Sequence, residues 1–384
     1  MNDRLQGKRL EGANRLKVLA VGDLILGMPD PESYFRYSQP ILKSGDVVIG
    51  QGEVPYTRST FRTRPTVISA PDPDNMRGLT FAGFNIITLA GNLIWNYGLP
   101  GIQDTVEWLH DHGISTTGAG MNIDEARRPI LVERHGIRVG VLDYNCVGPR
   151  EAWASPEKAG CAYISILTHY EPSFPTPGGP STVFTLAEPR SLESALDDIR
   201  HLRPLCDVLI VALHKGITNT PVTLADYDRQ VSHAAVDAGA DLILGHHAHI
   251  LKGIEVYRGK VIFHGLGNFV TVVPRMPRRP GEPLDTWALA SRQLYHFEHD
   301  PEYPTFPFHP EARKTIIARC IVEDGRISQV GYVPCLINTS GQPEVLGHDA
   351  RGQQVFDYVD RITREAGLNG EFEWEDNEVA IRLS

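Results

Sequence analysis

The sequence predicts an α/β fold, and three observations carry the prediction. Short apolar runs alternate with helical patterns from Leu16 onward, the stretch from Val208 to His249 reads as a βαβ unit, and polar residues of catalytic type end one run after another. Continuously apolar strands separated by helices are what a sheet covered on both faces requires.

The runs KVLAVGD, DVVIG, FNIITLAGN and IRVGVLDYN supply the first strands. Ile102 to His112 places Ile102, Val106 and Leu109 on one face with Gly113 as a helix stop, which predicts an amphipathic crossover helix. Ser191 to Leu202 predicts a second helix with Ser191 as N-cap. The strand DVLIVALH follows, then a helix with Thr223 and Asp226 as a capping box and Gly239 as its end, then the strand that delivers GHHAH. GIEVYRG and KVIFHGLGNFV predict a hairpin turned by Arg258 and Gly259.

Two stretches break the pattern. Glu171 to Ser181, around PSFPTPGGPS, predicts a surface loop; about 274 to 311 is dense in Pro, Arg, His and aromatics and predicts a long irregular insertion, a lid or an arm for homo-oligomer contact. The expected organisation is a polar leader at 1–15, a domain over 16–340 and a C-terminal helical extension over 341–384.

Composition narrows the function. A net charge of -10 gives no basic field for a phosphate backbone, so nucleic acid is not an expected partner. Five scattered cysteines without CxxC spacing indicate neither a disulfide framework nor a cysteine zinc site. The leader carries no apolar stretch of signal or anchor length, so the expectation is a cytoplasmic protein without a membrane anchor.

The chemistry concentrates at strand ends. His246, His247 and His249 follow DLILG, His214 ends VLIVALH, Asp23 closes the first strand, Glu53 follows DVVIGQG and Asn92 follows FNIITLAG. Open α/β sheets build sites there, and imidazole with carboxylate serves either as a metal-ligand set or as acid/base machinery. Helix capping by Asp23 and a solvated histidine loop are the plainer accounts, and convergence of the whole set is what argues against them. Arg58, Arg62 and Arg64, just beyond Glu53, and Lys215, beside His214, are expected to hold an anionic substrate; Arg275, Arg278 and Arg279 lie in the insertion.

The motifs VGDLILG, DVVIGQGEVPYT, GFNIITLAGNLIWNYG, GISTTGAGMNIDEARRP, VALHKG and DLILGHHAHILKGIEVYRGKVIFHGLGNFV resemble those of bacterial CapA-type proteins, accessory to capsule or poly-γ-glutamate synthesis, in the calcineurin-like metallophosphatase superfamily. The resemblance spans about Lys17 to Asn338. It implies a four-layer α/β/β/α sandwich, with Asp23, Glu53, Asn92, His214, His247 and His249 as ligands for divalent metal, zinc or manganese, and His246 beside them. The chain departs from the family pattern in three places: Gly91-Asn92-Leu93 stands where asparagine, asparagine and histidine are usual, Gln51-Gly52-Glu53 replaces NLE, and HKGITNT lacks the usual glutamate.

Because Leu93 cannot transfer a proton, acid/base work is expected to fall to Asp23, Glu53, His214, His246 or His264. The leading expectation is a metal-dependent hydrolase of an amide, peptide or ester bond in a small carboxylate-bearing or peptide substrate, not a phosphomonoester. The alternatives are an acid/base enzyme that needs no metal, such as a Cα epimerase, and a non-catalytic capsule or poly-γ-glutamate accessory protein.

Overall fold

The computed structural model describes residues 14–64, 68–172, 179, 181–274 and 286–383, without the side chains of 286–288 and 290. Arg275, Arg278, Arg279 and most of the leader lie outside the described residues. So does nearly all of PSFPTPGGPS; β-strands flank it on both sides.

Two sheets face each other. In chain order the elements used here are β1 (Arg15–Leu26), β2 (Val47–Gly52), α1 (Arg77–Ala82), β3 (Ile86–Thr88), α2 (Gly98–Asp111), β4 (Ser115–Thr117), β5 (Ile130–Arg134), β6 (Ile137–Asn145), β7 (Ile166–Pro172), β8 (Ser181–Ala187), α3 (Pro189–Leu202), β9 (Val208–Lys215), α4 (Asp226–Ala238), β10 (Leu242–His247), β11 (Ile254–Tyr257), β12 (Lys260–Phe263) and β13 (Asn268–Val272). They continue with α5 (Thr286–Leu294), β14 (Lys314–Glu323), β15 (Arg326–Ile337), β16 (Pro343–Val345), α6 (Ala350–Glu365), β17 (Phe372–Glu375) and β18 (Glu378–Ile381). The first sheet runs β17-β18-β15-β14-β1-β2-β3-β4, with β13 paired to β1 and β16 to β15. The second runs β11-β12-β10-β9-β6-β5.

Side-chain alternation sorts the apolar residues into layers. Val18, Ala20, Val47 and Ile49 from the first sheet meet Val139, Val141, Val208, Ile210, Leu242 and Leu244 from the second in one buried cluster. The opposite face of the first sheet packs with Leu79 of α1 and Ile102 and Leu109 of α2, and that of the second with α3 and α4. Helix, sheet, sheet, helix is the four-layer order, so the α/β/β/α expectation stands. The segment after 340, read as a helical extension, also supplies strands: α6 seals the inter-sheet core with Val355, Val359 and Ile362, while β16, β17 and β18 complete the first sheet.

Local expectations fared unevenly. The crossover helix begins at Gly98, and Gly113 follows its C-terminus at φ 75. Ser191 is not the N-cap of α3: with Pro189 at the first turn, Glu188 accepts the backbone N–H groups of Arg190 and Ser191 instead. Thr223 caps nothing; Asp228 reaches back to the N–H of Ala225 to start α4. The Arg258–Gly259 turn forms, both residues at positive φ. The insertion is not wholly irregular, since TWALASRQL, free of proline and glycine, forms α5.

Candidate functional site

A bulge aims the first carboxylate. Along β1, Ala20 opposes Ile49 of β2 and Asp23 opposes Gln51, three residues against two. The extra residue restores the inward direction at Asp23, which pure alternation from Ala20 would have turned away. Gly22 lets this happen: a Cβ there would lie 2.0 Å from the Gly267 carbonyl oxygen, and the N–H of Asp23 donates to that same oxygen at 2.9 Å.

Glu53 continues the inward series of Val47 and Ile49 just past the end of β2, and His214 continues that of Val208, Ile210 and Ala212 on β9. Asn92 arrives on the loop after β3. That loop is tied to the second sheet by Asp143 of β6, whose Oδ2 accepts the N–H of Ala90 at 2.6 Å. His247 and His249 leave β10 in the left-handed region, at φ 82 and 55. Non-glycine residues rarely adopt that conformation, and strain of this kind concentrates at functional sites.

These six residues meet between the sheets at the C-terminal ends of parallel strands. His214 Nε2 donates to Asn92 Oδ1 at 2.8 Å and lies 3.7 Å from Glu53 Oε2. His249 bridges the carboxylates, with Nδ1 3.1 Å from Asp23 Oδ2 and Nε2 3.6 Å from Glu53 Oε1. Ring centroids of His214 and His247 are 4.9 Å apart. Thr218 Oγ1 sits 3.1 Å from His247 Nε2.

The electrostatics oppose each other strongly. Burial, then the charge of Asp23, pushes the Glu53 carboxyl well above its ordinary range. Burial, reinforced by the neighbouring imidazoles, drives His214 well down and His247 down to about 3. Burial would lower His249 too, but Asp23 and Glu53 override it and raise it to about 9.

Asp23 Oδ1, both oxygens of Glu53, and Nδ1 of His214 and of His247 are buried without a hydrogen bond, while Asp23 Oδ2 is held by the His249 ring. Each such atom costs about 1–3 kcal/mol unless something satisfies it. One ligand atom each from Asp23, Glu53 and His214 lie within 4.8 Å of one another. Oxygen and imidazole donors in that arrangement fit a zinc- or manganese-sized cation.

Other expected site residues lie elsewhere. Alternation sends Lys215 to the opposite face of β9, where it is fully buried, 3.6 Å from Asp228 of α4, and donates to His264 Nδ1 at 3.0 Å. His264 in turn donates to Glu255 at 2.9 Å. Lys215 and His264 therefore form a separate buried cluster beneath α4, away from the crevice. His246 Nε2 donates to the Val21 carbonyl at 3.3 Å, tying the sheets together. Arg58 is held on the surface by Asp72 and Asp74, and Arg62 lies over the Tyr97 ring. Arg64 alone of the three lines a cleft with Asn92. Leu93 packs with the outer apolar layer of the first sheet.

The sequence reading passed over three contributors. Asn268, fully buried at the start of β13, places Oδ1 3.0 Å from His249 Nδ1 and donates to the His249 carbonyl at 3.2 Å. It stands in GLGNF, one more polar residue at a strand boundary, and that signal could have found it; the same holds for Asp143 in VLDYN. Phe308, from the end of the long insertion, lies 5.1 Å from the His249 ring and buries itself with Ala248, Ile250 and Phe306. Nothing local in FPFHPE marks it.

The model of the family described as bacterial capsule synthesis protein PGA_cap matches residues 17–272, a span from β1 to β13 that holds the six polar residues that meet in the crevice. The chain belongs to that family. This PGA_cap member is 28% identical over 263 residues to the PGA biosynthesis protein CapA of Bacillus subtilis, covering 65% of this chain and 62% of that one. It is 26% identical over 270 residues to the capsule biosynthesis protein CapA of Bacillus anthracis, covering 67% and 60%. A probable polyglutamine synthesis accessory protein of Mycobacterium tuberculosis is 33% identical over 218 residues, 55% of this chain and 51% of that one. The match thus spans less than two thirds of each relative's length. Among solved structures, a hypothetical protein from Thermus thermophilus aligns at TM-score 0.44 and 14% identity over 83% of this chain and 98% of that one. The calcineurin-like phosphoesterase YfkN from Bacillus subtilis aligns at 0.41 and 12% over 92% and 98%. Among the described residues of this PGA_cap chain, no helix is long and apolar enough to cross a membrane.

Proposed function

We propose that the crevice binds a divalent cation, zinc or manganese, and that the protein is a hydrolase of an amide, peptide or ester bond in a carboxylate-bearing, glutamyl-type substrate. The observation that carries this reading is the set of buried carboxylate oxygens without hydrogen bonds, gathered beside imidazoles kept neutral by burial. Asp23, Glu53 and His214 would hold the ion, with Asn92, His247 and His249 completing its surroundings. A cation there supplies Lewis acidity toward a carbonyl and lowers the pKa of water.

The chain's own residues do the rest. Asn92 orients the His214 ring through its 2.8 Å contact, and Asn268 holds His249. Phe308 and its apolar neighbours keep bulk water from that side of the crevice. Leu93 is committed to apolar packing, so nothing at that position protonates an alkoxide leaving a phosphate. This favours carbonyl over phosphomonoester chemistry. The names of the relatives, which concern PGA, capsule and polyglutamine synthesis, together with the motif resemblance to poly-γ-glutamate accessory proteins, support a glutamyl substrate.

The test is turnover of γ-glutamyl amides and esters against an aryl phosphate, by protein loaded with manganese or zinc and by Asp23→Asn. Carbonyl hydrolysis that a chelator abolishes and Asp23→Asn lacks is expected; aryl phosphate as the preferred substrate overturns the choice of bond.

One observation favours a second, metal-free acid/base reading: His249, raised to about 9, already stands as a cation between two carboxylates. Solvent deuterium incorporated at Cα of a glutamyl substrate by chelated protein would select it. A non-catalytic role, which the word accessory in one relative's name supports, predicts that Asp23→Asn keeps full biological function.

A further inference from the structure

β7 and β8 form a two-stranded ribbon of their own, outside both large sheets. On one side the ribbon is fastened to the body: the N–H groups of Thr185 and Ala187 on β8 donate to the side chains of Asp226 and Gln230 of α4 at 3.0 and 2.8 Å. Those two N–H groups therefore point away from β7. Thr185 stands opposite Thr168, Ala187 opposite Ile166 and Val183 opposite Tyr170, so by antiparallel geometry the backbone N–H and C=O of Ile166, Thr168 and Tyr170 point away from β8 as well. Among the described residues, none of these outward groups on β7 has a hydrogen bond, and the strand is exposed from Leu167 to Pro172.

Open strand edges are usually guarded by charge. β17, outermost in the first sheet, carries Glu373 and Glu375, and β5, outermost in the second, carries Glu133 and Arg134. β7 and β8 contain neither lysine nor arginine. Instead, five of the fourteen large apolar side chains exposed among the described residues stand on them: Leu167, Tyr170, Val183, Phe184 and Leu186. A two-stranded ribbon with one open edge and this much apolar surface in water is a structure short of a partner.

The side chains match one partner in particular, a second copy of the same strand. When a second β7 is laid antiparallel along the open edge with Thr168 opposite Thr168, Ile166 falls opposite Tyr170 and Leu167 opposite His169. Each row across the four strands is then compatible: Thr185, Thr168, Thr168 and Thr185 in the middle, Ala187, Ile166, Tyr170 and Val183 beside it on the same face, and Leu186, Leu167, His169 and Phe184 on the other. The one acidic residue of β7, Glu171, falls opposite Ser165, so no like charges meet. The antiparallel arrangement also sets the two bodies, each chain carrying a net charge of -10, at opposite ends of the four strands. Tyr170, the most exposed of the five at 65%, comes beside Ile166 of the second copy, which packs against the core. We infer that two copies of this chain associate through β7, about a twofold axis at Thr168. The inference is independent of the chemistry of the crevice, and it moves to the ribbon the homo-oligomer contact expected of the 274–311 insertion.

The test is sedimentation equilibrium of the full chain, with charges exchanged at the axis. Wild type at about 100 µM is expected to approach twice the chain mass of 42.6 kDa. Thr168→Lys and Thr168→Glu each set like charges directly opposite one another, so each should raise the dimer dissociation constant at least about tenfold, while an equal mixture of the two should regain the wild-type mass. Thr168→Pro removes only an N–H that points away from β8, so the β7–β8 ladder stays intact and the expected product is a folded monomer. A wild type that is monomeric at that concentration, a dimer that survives Thr168→Pro, or charge variants that fail to restore each other would overturn the inference. A monomeric wild type that floats with phosphatidylcholine vesicles would overturn it in favour of a lipid surface.

Discussion

Glu53→Gln should make the metal-free protein more stable and deprive it of its response to metal. Glu53 is fully buried, neither oxygen accepts a hydrogen bond, and Asp23 faces it as a like charge. The substitution keeps the shape, removes the charge and gives Asp23 an amide donor. Relief of one unsatisfied buried group stabilises by about 1–3 kcal/mol. With an unfolding entropy of about 2.1 cal/mol/K per residue, a chain of 384 residues gains about 1 °C in Tm per kcal/mol, so a rise of about 1–4 °C is expected.

The sign with pH follows from the raised carboxyl. A folded pKa above the unfolded value contributes stability that is complete below about 4.5 and declines as pH rises, so the variant's advantage should widen from pH 5 to 8. The wild type should gain about 2.7 kcal/mol, or roughly 3 °C, at a hundredfold excess of metal over its Kd, and the variant little. Thermal melts with chelator and with manganese measure both effects. A variant less stable than wild type in chelator, yet equally shifted by manganese, would refute the reasoning.

Gly22→Ala should cost about 3 kcal/mol and displace Asp23, since the added methyl meets the Gly267 carbonyl; an unchanged urea midpoint would be the contrary result. Phe308→Ala should lose about 3–5 kcal/mol and open the His249 side of the crevice, read as a lower urea midpoint and faster exchange of the amides around 248–250. His264, lowered to about 4 chiefly by burial, and Glu255, lowered to about 2 with His264 beside it, both make the unfolded chain bind more protons. Their contribution to metal-free stability should therefore fall as pH drops from about 6.5 to 4, so the wild type should lose more stability over that range than His264→Gln, and equal losses would contradict the cluster. Asp143, raised to about 7 by burial, behaves oppositely, so Asp143→Asn should gain about 1–3 kcal/mol over wild type at pH 8 and little at pH 5, measured by chemical denaturation.

Much of the crevice was legible because strand-end polar residues obey alternation. Glu53 and His214 point where the parity of Ile49 and Ala212 sends them, and the same rule removes Lys215, expected in the site as the neighbour of His214, and His264, expected there as an acid/base group. Asp23 needed a bulge that no local pattern announces. The arginines failed as a group because ion pairing depends on partners distant in the chain: Arg58 finds Asp72 and Asp74, while Arg64 finds only amide and carbonyl oxygens. Phe308 matters through tertiary position alone, and its surroundings in sequence carry no periodicity to read. Likewise the strands after residue 340 are short, and it is pairing, of β16 and β18 with β15 and of β17 with β18, that makes them strands.

The most direct test is a crystal of the protein grown with manganese, with anomalous differences collected at the metal edge. A peak in direct contact with oxygens of Asp23 and Glu53 and with the His214 imidazole is the predicted result. Saturating manganese with no peak between those three side chains, or a peak only elsewhere on the protein, would contradict the account.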